Sequence, residues 1–89
     1  MRLNPEYPDA WAELGLVETR RGNYTAAEDA LDKALALAPD NYLATVNLAT
    51  LYARTKDPRR EAQAAKLAAL QEKRNEREQE FLRIIKVEP

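Results

Sequence analysis

The chain repeats itself at a distance of 34 residues. Pro5 and Pro39, Leu3 and Leu37, Leu14 and Leu48, and Arg20 and Arg54 each stand one such period apart. A period in this range constrains the fold strongly, because each unit is one supersecondary element that buries its apolar face on a neighbour. Within the first unit five residues set the frame: Trp11, Leu14, Gly15, Ala27 and Pro39, spaced W-x2-L-G, then A, then P. That spacing fits one helical hairpin.

Glycine and proline fall at the punctuation points. Pro5 and Pro8 precede a first helical pattern, Gly22-Asn23 separates it from a second, and Pro39 ends the second. Asn41 can cap a third helix, and Asp57-Pro58 reads as an N-cap followed by proline in the first turn. The pattern predicts four helices, at about 9–21, 24–38, 41–55, and from 58 to an end between 71 and 86. Ile84 to Val87 is a short β-branched run and the one ambiguous piece. The helices are amphipathic: Trp11, Leu14, Gly15 and Glu18 in the first, Ala27, Ala30, Leu31, Ala34, Leu35 and Ala38 in the second, and Leu48, Ala49, Leu51 and Tyr52 in the third. Gly15 opposite Ala27 lets two antiparallel helices approach closely.

Composition narrows the function. The net charge is −1, with acids and bases mixed, which argues against nucleic-acid binding. There is no histidine and no cysteine, so the commonest general base, the commonest metal ligand and thiolate chemistry are all missing. No phosphate loop and no metal-ligand spacing occur, and a non-catalytic protein with no cofactor and no metal is expected. No apolar run approaches the roughly 20 residues that span a bilayer, so no membrane insertion is expected. A cytoplasmic location is favoured.

These residues resemble the tetratricopeptide repeat. Residues 8–41 match one full repeat through Trp11, Leu14, Gly15, Gly22, Tyr24, Ala27, Leu31, Ala34 and Pro39. Residues 42–75 resemble a second, degenerate one, which keeps Leu48, Ala49, Tyr52 and Ala68. It has Thr45 in place of Trp11 and Lys56 in place of Gly22. Glu61 falls where a small alanine belongs, and a one-residue slip would bring Ala62 there. Residues 1–7 read as the remnant of a preceding repeat or a linker, and 76–89 as a C-terminal extension. The resemblance implies an all-α fold of antiparallel helical hairpins stacked as a right-handed superhelix, two units plus a long last helix. Glu18 stands where the family has tyrosine, and it is expected either to snorkel to solvent or to pair with a nearby arginine such as Arg21 or Arg54.

The resemblance also implies where function sits. In this family the first helix of each repeat lines a concave face that takes a protein or peptide partner. Here that face would use Ala12, Glu13, Leu16 and Arg20 from the first repeat, and Leu43, Val46, Asn47, Thr50 and Arg54 from the second. Some members hold a partner's terminal carboxylate there with Lys, Asn and Arg. Asn47 matches one such position, but Ala12 and Leu16 occupy others, so no capture of an acidic C-terminus is expected.

The last stretch is the second informative region. Gln71 to Glu80 is fully polar and gives way to Phe81, Leu82, Ile84, Ile85 and Val87. A two-repeat core about 15–25 Å away along a straight helix cannot bury them, at 1.5 Å per residue. Either the helix breaks near Asn75 and folds back, or it docks on another copy, or it packs on a partner. With only two repeats, self-association through Phe81, Leu82, Ile84 and Ile85, and so a homo-oligomer, is expected. The leading function is a protein–protein interaction module; the alternative is a structural role, capping a longer repeat array or driving oligomerisation.

Overall fold

The computed structural model describes residues 6–85, with side chains through residue 83. Residues 1–5 of the expected remnant lie outside the described residues, as do Val87 and the side chains of Ile84 and Ile85. Four helices follow one another: α1 (Pro8–Arg20), α2 (Tyr24–Leu37), α3 (Tyr42–Thr55) and α4 (Arg60–Ile85). No strand occurs among the described residues, and the fold is all-α.

Local chemistry sets the ends. Pro8 opens α1, where a missing N–H costs nothing. The Asn41 side-chain oxygen caps α3 by accepting from the Ala44 N–H at 2.8 Å. Asp57 accepts from the Arg59 N–H at 2.8 Å, closing a turn over Pro58. That turn delays α4 until Arg60, two residues later than the spacing predicts. Both hairpins close through a left-handed residue one period apart: Gly22 at φ 83° and Lys56 at φ 55°. For lysine that backbone state costs about 1 kcal/mol.

α1 packs on α2 and α3, α2 on α3, and α3 on α4. The core is Ala12, Ala27, Leu31, Ala34, Ala44, Leu48, Leu51 and Tyr52, with Trp11, Leu35 and Leu43 at its edge. The close approach at Gly15 is real. A β-carbon there would lie 2.5 Å from Leu31 Cγ and 3.3 Å from the Ala27 carbonyl oxygen.

α4 departs from expectation. Ala34 is fully buried, but Ala68, one period later, is exposed. The reason is position in the stack: α2 packs on both α1 and α3, whereas among the described residues α4 touches α3 alone. Its inward residues are Gln63, Leu67 and Leu70, while Glu61 and Ala62 are both exposed, so the one-residue slip does not bring Ala62 inside. Gln63 is 6% exposed and its amide donates to the Thr45 carbonyl at 3.3 Å. Nor does α4 break near Asn75; it runs unbroken to Ile85.

Candidate functional site

Three hydrogen bonds tie α1 to α3 side by side. The Asn41 amide donates to Asp9 Oδ1 at 2.7 Å, the Asn47 amide to the Ala12 carbonyl at 3.0 Å, and the Arg54 guanidinium to the Thr19 carbonyl at 3.4 Å. They act like rungs, spaced along both helices from their N-terminal to their C-terminal ends, and they fix the two in register.

The rungs also sort the predicted face. Ala12 is fully buried and Asn47 is 4% exposed, so both belong to the α1–α3 seam and offer no side chain to a partner. The correction has a plain cause: Asn47 carries the polar group that satisfies the backbone beside Ala12, and a buried amide needs such a partner. Leu43 is half-buried against the core. Leu16 and Val46 are half-buried, and Glu13, Arg20, Thr50 and Arg54 are exposed. Glu13, Leu16 and Arg20 share one side of α1 by their spacing, as do Val46, Thr50 and Arg54 of α3. The rung from Arg54 to Thr19 brings Arg54 to the edge where Arg20 stands. Thr50 bonds back to the Val46 carbonyl at 3.0 Å. Glu18 pairs with Arg21 at 3.7 Å, one of the two arginines the sequence offers, and also accepts from the Asn23 amide at 3.2 Å.

Val17 was not among the predicted residues, yet it is 42% exposed. Its signal is its spacing, four residues after Glu13 and three before Arg20. At the far end of α4, Phe81 is 61% and Leu82 50% exposed.

A second polar cluster joins the two hairpins. Tyr52 of α3 donates its hydroxyl to Glu28 of α2 at 2.8 Å. Arg59 reaches Glu28 at 2.9 Å and Asp57 at 2.8 Å, and its guanidinium lies 4.4 Å over the Tyr52 ring. Burial, and then the Glu28 carboxylate, push the Tyr52 phenol up to about 12. Hydrogen bonds from Arg59 pull Asp57 down to about 2. Asp32 is raised by burial and by its neighbours Glu28 and Asp29. Glu28, Tyr52, Asp57 and Arg59 are each committed to a partner in the fold, which suits a brace between hairpins. Among the described residues no cluster of acids is placed to hold a metal ion, and no helix is long and apolar enough to cross a membrane.

A face of paired first helices, set by 34-residue hairpins, defines a class. Residues 8–51 match the family model of the tetratricopeptide repeat, and through them the chain belongs to that family. It is similar, at 43% identity over 49 residues, to the peroxisomal targeting signal receptor of Pichia angusta, covering 55% of this chain and 9% of that protein. It is also similar, at 37% over 51 residues, to protein O-mannosyl-transferase TMTC1 of Homo sapiens, covering 57% of this chain and 6% of that one. The chain thus matches less than a tenth of the length of either relative. No solved structure matches it.

Proposed function

We propose that this chain is a non-catalytic protein-binding module that takes a partner segment along the strip formed by Glu13, Leu16 and Arg20 of α1 and Val46, Thr50 and Arg54 of α3. The observation that carries the reading is the set of three rungs between α1 and α3. They hold two helices side by side with half-exposed aliphatics between charged ends, and a preformed surface binds without first paying to order itself. The mixture suits an extended or helical peptide, with Leu16 and Val46 giving apolar contact and the arginines orienting it. One relative's name makes it a receptor for a targeting signal, which supports recognition of a protein segment by this kind of repeat.

The test is affinity capture from cell extract with mass-spectrometric identification, run beside the double variant Leu16→Gln, Val46→Gln. The variant is expected to lose the captured partner while keeping its helical circular dichroism. An unchanged partner set would place binding elsewhere.

A further inference from the structure

The inward stripe of α4 does not stop where α3 ends. Gln63, Leu67 and Leu70 are followed by Arg74, Arg77 and Phe81 at the same alternating spacing of four and three residues. All six therefore lie along one face of the helix. α3 begins at Tyr42, whose hydroxyl accepts from the Gln71 amide at 3.2 Å and whose ring lies 4.2 Å below the Arg74 guanidinium. Beyond that point no other helix among the described residues covers α4, and Arg74, Arg77 and Phe81 are exposed. A helix face with heptad spacing is what one helix presents to another.

The chemistry of the face selects its occupant. Lys73, Arg74 and Arg77 surround a shallow pocket with Leu70 and Tyr42, and Asp40 is the one carboxylate in its lining. An adjoining pocket shares Asp40, Leu70 and Lys73 and adds Lys66. Glu78 lines the outer side with Arg74 and Arg77. A guanidinium stacked on a ring is held in plane, and its donors suit paired carboxylate oxygens. A second copy fits poorly. Two such faces paired across their middle set Arg74 against Arg74 when parallel, and Arg74 against Arg77 when antiparallel. Like charges at the centre of an interface oppose it.

We propose that the overhanging face of α4 is a docking site for an acidic amphipathic helix of a partner protein. Two successive carboxylates of that helix meet Arg74 and Arg77, and flanking apolar residues cover Leu70 and Phe81. This surface is separate from the α1–α3 strip and takes a different segment.

Three alanine-based helical peptides of about 20 residues test it, carrying Leu-Glu-Glu-Leu, Leu-Gln-Gln-Leu or Leu-Lys-Lys-Leu at successive seam positions. They are titrated against the full chain by fluorescence anisotropy. The glutamate peptide is expected to bind about tenfold or more tighter than the glutamine peptide. The charge-reversed variant Arg74→Glu, Arg77→Glu is expected to lose that binding and to accept the lysine peptide, a gain that an unfolded variant cannot show. Leu16→Gln, Val46→Gln should leave the glutamate peptide's affinity unchanged, which separates this site from the α1–α3 strip. Equal binding of the glutamate and glutamine peptides, or no binding of either, overturns the proposal. So does a dimer seen by sedimentation and abolished by Phe81→Asp, which would give the face to a second copy.

Discussion

Gly15 is where sequence and packing meet most tightly. Replacing it with alanine pulls in two directions. Alanine is the better helix former by about 1 kcal/mol. Its methyl, however, would sit 2.5 Å from Leu31 Cγ, and Leu31 is fully buried with nowhere to retreat. Overpacking of this kind costs about 1–3 kcal/mol, so the clash outweighs the propensity gain. Gly15→Ala is expected to lower the thermal midpoint by roughly 5–10 °C in a chain of this size. An unchanged or raised midpoint in a circular-dichroism melt would mean that Leu31 can move aside. Gly22 answers a different need, a left-handed turn, and Lys56 meets the same need one period later without the freedom of glycine.

Between elements, the brace of Glu28, Tyr52, Asp57 and Arg59 gives stability a pH signature. The Tyr52 phenol is raised from 10.0 to about 12, so its contribution is complete below pH 10 and is lost as pH rises through 12. Asp57 is lowered from 3.8 to about 2, so its contribution is complete above about pH 4 and is lost as pH falls toward 2. Thermal melts across both windows check this. Tyr52→Phe should flatten the alkaline loss and Asp57→Asn the acid one; a variant as pH-sensitive as the parent would remove that residue from the brace. The sequence shows the hairpins well, because Trp11, Gly15, Ala27 and Pro39 act within one unit. It shows the brace poorly, since Glu28 and Arg59 meet only once the hairpins stack. Ala12 and Asn47 look like surface in the sequence for the same reason: a three-to-four-residue spacing tells which face a residue shares, and the neighbouring helix decides whether that face is open. Ala68 misled in the opposite sense. Its spacing matches that of Ala34, but among the described residues α4 touches α3 alone, and Ala68 stays exposed.

The molecule measures 55 × 32 × 20 Å, and its long dimension reflects α4, whose 26 residues extend for about 39 Å at 1.5 Å each. Gln71 and Arg74 make its last hydrogen bond and ring contact with α3. Removing residues 76–89 is therefore expected to change bundle stability by less than about 1 kcal/mol, read as a nearly unmoved thermal midpoint with a smaller helical signal. A large fall would show that the overhang supports the bundle. The dependence is expected to run the other way. An isolated helix of this length in water struggles to nucleate, and each further residue adds only propagation. The packed turns at Gln63, Leu67 and Leu70 supply the nucleus for the overhang. The overhang is thus helical on loan from the bundle, and a mutation that loosens Leu67 should unwind it and switch off docking at a temperature where the first hairpin still stands.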